Sequence, residues 1–67
     1  MKRVPTTFKD IYIGDMFFYN NESYRKLASH KMYKNALAHK TNTIVHFSED
    51  IEVQEIDLWN LENYYRI

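Results

Sequence analysis

Residues 16–28 read Met-Phe-Phe-Tyr-Asn-Asn-Glu-Ser-Tyr-Arg-Lys-Leu-Ala, and this stretch decides the fold class. Residues 16–19 form a short segment rich in aromatic side chains, which is typical of a β-strand. Residues 20–22 predict a turn, because asparagine tolerates the left-handed backbone region. Residues 23–28 predict the returning strand. The whole stretch therefore predicts a β-hairpin.

Upstream of the hairpin, a short helical turn is predicted. Thr7 and Asp10 have the spacing of a helix start, Ser/Thr-x-x-Asp/Glu. Gly14 follows so closely that the helix is limited to a single turn, and this glycine is the expected site of positive φ. Phe8 and Ile11 are three residues apart, so we expect them to close one end of the core.

Downstream, three further segments favour strands. Residues 29–39 are compatible with a helix or a strand, and their place between two strands favours a strand. Residues 43–47 are rich in β-branched side chains and predict a strand. Residues 51–56 begin with apolar and acidic alternation, as in a strand with one face in water. Turns are predicted at residues 40–42 and 48–50.

Four or five short strands with turns about every 8–12 residues predict a mainly β fold. We expect a small SH3-like barrel or a strongly bent antiparallel sheet with a short C-terminal helix, because a flat sheet would expose an aromatic face. In the hairpin, alternation places Tyr24 and Lys26 opposite Arg25 and Leu27. The predicted interior consists of Phe17, Tyr19 or Phe18, Leu27, Val45, Phe47 and Val53.

The size of the chain limits it to one domain. It has 67 residues and no cysteine, and a chain of this length buries only about 60% of its unfolded surface. Residues 1–57 are expected to form a small β-barrel domain, and residues 58–67 a helix or tail that packs on it or on a partner. No secretory signal or apolar membrane span is recognisable, so we expect a cytoplasmic protein.

Charge is distributed unevenly along the chain, although nine basic residues balance nine acidic ones. Residues 1–47 carry eight basic and three acidic side chains, a net +5. Residues 48–67 carry one basic and six acidic side chains, a net −5. Such asymmetry is typical of a nucleic-acid surface beside an acidic one, or of neighbouring strands that neutralise each other.

A phrase of spaced residues runs through residues 8–53. Its members are Phe8-Lys9-Asp10-Ile11, Ile13-Gly14-Asp15, Phe17, Tyr24, Lys26-Leu27, Ala36, Phe47 and Val53. The phrase resembles many short bacteriophage and prophage proteins that open with Phe-x-Asp-Leu-x-x-Gly-Asp-x-Phe and continue with a Tyr-x-Lys hairpin. That family has no settled activity, so the resemblance implies a fold and a phage origin but no catalytic residues. The chain differs from it at Asn20-Asn21, where glycine is usual, and after Asp57.

Groups that carry catalysis or bind metals are few and widely spaced. His30, His39 and His46 are nine and seven residues apart, without the close pair or the cysteines that zinc sites use. The serines lack a nucleophile motif, and one glycine is too few for a phosphate-binding loop. We therefore predict no enzymatic activity, no cofactor and no metal, with the histidines on the surface or in strands.

The basic middle of the chain is the first candidate binding site. Aromatic side chains stack on bases while Lys and Arg neutralise phosphates, as in barrel-type single-strand binders. The alternative is that Tyr24 and Tyr33 are half-buried core residues and that the lysines keep an edge strand soluble. The candidate nucleic-acid-binding residues are Tyr24, Arg25, Lys26, Lys31, Tyr33 and Lys34.

The aromatic end of the chain is the second candidate, because Trp and Tyr dominate protein-binding hot spots. The alternative is that residues 58–67 pack on their own domain or form a homodimer with a second copy. The candidate partner-binding residues are Trp59, Leu61, Tyr64 and Tyr65.

These features predict a non-enzymatic protein-interaction module. We expect a phage-encoded accessory protein that binds a bacterial host protein in the host cytoplasm and modulates or inhibits it. The alternative is a single-stranded nucleic-acid-binding protein that uses residues 24–34. A third hypothesis is a small structural or assembly protein of a virion.

Overall fold

The computed structural model of the chain describes residues 3–56, which form one antiparallel sheet of six strands. The strands are β1 (Arg3–Thr7), β2 (Met16–Tyr19), β3 (Glu22–Lys26), β4 (Ala36–Ala38), β5 (Thr43–Val45) and β6 (Glu52–Ile56). Their order in the sheet is β1-β6-β2-β3-β4-β5. A single turn of 3-10 helix, Phe8–Asp10, follows β1. The mainly β fold and the one-turn helix are thus confirmed.

The central hairpin is built as its local chemistry predicts. Tyr19 pairs with Glu22, which leaves a loop of only Asn20 and Asn21. Both have positive φ, 53° and 64°. Two such residues define the primed turn whose twist matches that of the flanking strands. Gly14 also has positive φ, 96°, as expected.

The prediction of a strand throughout residues 29–39 was wrong for most of that segment. Only Ala36–Ala38 is a strand, and residues 29–35 form a loop. The reason is Asn35, which is fully buried. Its backbone carbonyl accepts hydrogen bonds from the N–H groups of Leu27 and Ala28, at 2.8 and 3.3 Å. The loop is thereby closed at its base without a longer strand ladder.

Strand β1 was not anticipated. It pairs with β6 over its full length, from Arg3 opposite Ile56 to Thr7 opposite Glu52. Pro5 lies in the middle of β1, and proline lacks the N–H that every residue of an interior strand donates to one of its two neighbours. The position of β1 at the sheet edge removes this conflict.

The core on the inner face of the sheet is aromatic. The rings of Phe8, Phe17 and Phe47 are buried, with centroids 5.2–5.4 Å apart. Ile11 is buried beside them, so the predicted closure of one core end by Phe8 and Ile11 is confirmed. The core also includes Ala36 and Val53, with Tyr19, Tyr24, Val45 and Ile51 packed against it.

One predicted core residue was wrong. Leu27 is 41% exposed, because it follows Lys26, which faces inward, and side chains alternate along a strand. Of the two aromatic candidates in β2, Tyr19 packs against Phe47 with ring centroids 5.4 Å apart. Phe18 lies on the outer face instead, beneath the guanidinium group of Arg3.

The sheet is not a closed barrel, which corrects one of the two predicted architectures. Within residues 3–56, β1 and β5 are the edges and do not pair with each other. Phe8 follows β1 and Phe47 follows β5, and their rings stack with centroids 5.4 Å apart. Side-chain packing therefore brings the two ends of the sheet together without a closing hydrogen-bond ladder. The predicted C-terminal helix lies outside the described residues.

Candidate functional site

Lys26 is a buried cation that ties β3 to the 3-10 turn. It is only 3% exposed. Its ammonium group donates to the carbonyl oxygens of Phe8 at 2.9 Å and Ile11 at 2.7 Å, with Lys9 O at 3.4 Å. Burial lowers the pKa of Lys26, and the charge of Asp10 opposes that shift. The ammonium group therefore has little surface to offer a phosphate.

Tyr24 is also part of the interior. Its ring stacks on Phe17 with centroids 5.6 Å apart and meets Phe47 edge-on at 5.0 Å. This is the half-buried arrangement considered above as the alternative for Tyr24. Arg25 is exposed and donates to the carbonyl oxygen of Gly14. Tyr24, Arg25 and Lys26 therefore do not form one exposed binding surface.

Tyr33 and His46 form an exposed aromatic pair. Tyr33 is 80% exposed, which overturns the half-buried alternative for this residue. The two rings are nearly parallel, with planes at 19° and centroids 6.0 Å apart. His46 Nδ1 lies 2.9 Å from the carbonyl oxygen of Tyr33. The same nitrogen lies 3.4 Å from Asn35 Nδ2, so it donates to Tyr33 in one tautomer and accepts from Asn35 in the other.

The base of this pair is held by the buried Asn35 side chain. Its Oδ1 accepts from the Phe47 N–H at 2.9 Å, and its Nδ2 donates to the Phe47 carbonyl oxygen at 3.0 Å. These two bonds imitate the pairing of one strand residue with another. They fix the backbone next to His46 against the end of the 29–35 loop. Neither Asn35 nor His46 was selected as a binding-site residue, because only this long-range contact reveals their role.

Lys31 and Lys34 lie on the same loop as Tyr33, and all three are exposed. The loop contains a turn in which the Met32 N–H donates to the Ser29 carbonyl oxygen at 2.9 Å. Of the six predicted nucleic-acid-binding residues, the structure therefore places three on one exposed loop.

Contacts between polar side chains link the basic and acidic parts of the sequence. His30 Nε2 lies 3.1 Å from a carboxylate oxygen of Glu49, and Lys9 Nζ lies 3.6 Å from one of Asp50. His39 Nδ1 is 3.1 Å from Ser23 Oγ. Within residues 3–56, no three His, Asp or Glu side chains are grouped to hold a metal ion.

The outer face of the sheet carries a row of apolar side chains that crosses several strands and is interrupted by Arg25. The register aligns Met16, Arg25, Leu37 and Ile44 on β2 to β5. Ile44 is 51% exposed, and Met16 and Leu37 are half-buried. Ile56 of β6 joins Met16 in lining a concavity of about 170 Å³. We call Met16, Leu37, Ile44 and Ile56 the outer strip.

The predicted partner-binding residues Trp59, Leu61, Tyr64 and Tyr65 lie outside the described residues. The last described residue is Ile56, at the end of the outer strip. No helix within residues 3–56 has the length and apolar character needed to cross a membrane.

No protein-family model, curated protein or solved structure matches this chain. The function is therefore inferred from the two surfaces described above, the outer strip and the Tyr33–His46 pair.

Proposed function

We propose that this protein is a phage-encoded accessory module that binds a bacterial host protein and modulates or inhibits it, without catalysing a reaction. The outer strip carries the proposal. In an antiparallel sheet with one buried face, outward positions are normally polar. Here Met16, Leu37 and Ile44 are apolar and remain open to contact, and a binding partner would remove them from water.

The residues that follow Ile56 in the sequence support the same surface as the binding site. Ile56 lies beside Met16, and the sequence continues from there to Trp59, Leu61, Tyr64 and Tyr65. Trp and Tyr supply large contact areas in binding hot spots. We infer that these residues and the outer strip contact the same partner.

Charge supports recognition at a distance. Residues 1–47 have a net charge of +5, and residues 48–67 have a net charge of −5. Charged side chains that face a partner of opposite sign raise its association rate. Binding of this partner is therefore expected to slow as salt is added.

The finer fold class belongs to this proposal. We infer an open relative of the SH3-like barrel, in which residues 58–67 form a helix or tail at the partner surface. Strands β2 to β5 form a consecutive meander, and β6 returns to pair with β2. That order is compatible with a small bent barrel whose edges have not joined.

A competition experiment tests the function. The full chain is immobilised, exposed to a bacterial lysate, and eluted by free protein, and the displaced proteins are quantified by mass spectrometry. We expect one host protein to be displaced by wild type and by Ile13→Lys, but poorly by Ile44→Lys. Ile13 is a matched control, because it is 62% exposed and lies outside the strip.

The affinity of each variant for the purified partner is then measured. Ile44→Lys and Trp59→Ala should each weaken its binding about tenfold or more, as expected for hot-spot residues. Equal binding by Ile44→Lys and Ile13→Lys would refute the role of the outer strip. Absence of any protein displaced by wild type would refute the proposed function.

A further inference from the structure

We propose that Tyr33 and His46, together with Lys31 and Lys34, form a site that stacks an unpaired base of single-stranded nucleic acid. This site uses no residue of the outer strip. It is therefore independent of the proposed host-protein interface. It also differs from the residue set predicted from the sequence, because it includes His46 and omits Tyr24, Arg25 and Lys26.

The first argument is the exposed ring of Tyr33. One side of the ring faces His46, in nearly parallel planes, and the side chain is still 80% exposed. A flat aromatic face open to water is the surface on which bases stack in proteins that bind single strands. In a duplex each base is already stacked on its neighbours, so the site favours unpaired bases.

The second argument is that the pair is held in place before binding. His46 Nδ1 lies 2.9 Å from the carbonyl oxygen of Tyr33. The next residue, Phe47, is clamped by two hydrogen bonds to the buried side chain of Asn35. A preorganised pair loses less conformational entropy when a ligand binds.

The third argument is the charge around Tyr33. Lys31 and Lys34 are exposed on the same loop, where they can neutralise phosphates on either side of a stacked base. The carboxylate of Glu49 lies 3.1 Å from His30 Nε2 on the same loop and opposes a phosphate at that end of the loop. Lys34 and Lys31 form no ion pair with an acid of the described residues.

The test is a fluorescence-anisotropy titration of labelled oligothymidylate, about ten nucleotides long, with the full chain in about 20 mM salt. Tyr33→Ala should weaken binding about tenfold or more, whereas Tyr33→Phe should retain it, because stacking requires the ring and not the hydroxyl. Tyr12→Ala is the matched control, since Tyr12 is also 80% exposed on a loop. It should bind like wild type.

Salt dependence tests the lysines separately. Each neutralised phosphate of a single strand contributes about −0.7 to the slope of log affinity against log salt concentration. The double variant Lys31→Ala/Lys34→Ala should therefore bind more weakly and flatten the slope by about 1.4. A duplex of the same length should bind more weakly than the single strand.

Three results would overturn this inference. Failure of the wild type to bind the oligonucleotide at low salt would exclude the site. Equal losses in Tyr33→Ala and Tyr12→Ala would exclude stacking on Tyr33. Binding that depends on the lysines but not on Tyr33 would indicate unspecific charge attraction. Circular dichroism of each variant confirms that the fold is retained.

Discussion

Replacement of Lys26 by methionine tests whether this buried cation stabilises the sheet. Methionine has a similar length and fills the same space without donating a hydrogen bond. The Ile11 carbonyl oxygen, 2.7 Å from Nζ, would lose its donor, whereas the Phe8 oxygen would still accept from the Ile11 N–H at 3.1 Å. One buried carbonyl without a partner costs about 1–3 kcal/mol. Removal of the desolvated charge offsets part of the lost bond to Phe8.

We therefore expect Lys26→Met to lower the free energy of unfolding by about 1–3 kcal/mol. That loss is a large part of the total free energy of unfolding, which is about 3–10 kcal/mol for a domain of this size. Urea unfolding followed by far-ultraviolet circular dichroism measures the loss. Lys34→Met is the control, because Lys34 is exposed and such changes usually stay within about 0.5 kcal/mol. Equal stabilities for the two variants would refute the reasoning.

The same lysine makes a signed prediction about pH. Burial lowers the pKa of Lys26 in the folded state below the ordinary value of 10.5. Between the lowered pKa and 10.5 the unfolded chain binds more protons, so the contribution of Lys26 to stability rises with pH. Wild type should therefore gain stability relative to Lys26→Met across this alkaline window. Taking the difference between the two proteins cancels the titration of their shared tyrosines. A difference that falls with pH would contradict the assigned shift.

Two further substitutions test the loop and the turn. Asn35→Ala should lower the free energy of unfolding by about 2–5 kcal/mol, because both the N–H and the carbonyl oxygen of Phe47 lose their partner. Urea unfolding measures this loss, and a loss no larger than that of Lys34→Met would contradict the role of Asn35. Asn20→Ala should lower the free energy of unfolding by about 1 kcal/mol, because φ is 53° and alanine lacks the short polar side chain with which asparagine tolerates this left-handed conformation. Asn20→Gly, which has no Cβ atom, should lose little, and equal losses in thermal melts would exclude backbone strain as the cause.

Local features were predictable because they depend on neighbouring residues alone. Asn20 and Asn21 favour positive φ by themselves, and Gly14 is the only glycine in the chain. The single helical turn also followed from local spacing, although Thr7 Oγ1 donates to the Asp10 carboxylate at 2.9 Å and does not accept a backbone N–H as a capping residue would. Such preferences operate within a few residues, so they can be read without knowledge of the fold.

The placement of the candidate site was harder to predict, because alternation shows which residues share a face but not which face is buried. Tyr24 and Lys26 were correctly expected on one side of β3, and only packing shows that this side is the interior. Tyr33 lies outside it, since Asn35 ends the loop by bonding to Phe47. His46 becomes a neighbour of Tyr33 through that contact alone.

The sequence by itself determined the β-hairpin, its turn and the aromatic character of the core, because these follow from backbone preferences and the period of two along a strand. Only the tertiary structure decided that β1 pairs with β6, that the sheet stays open and that Lys26 is buried. These outcomes depend on contacts between residues far apart in the chain. Their free energies are set by packing and desolvation of the whole domain, which no local pattern encodes.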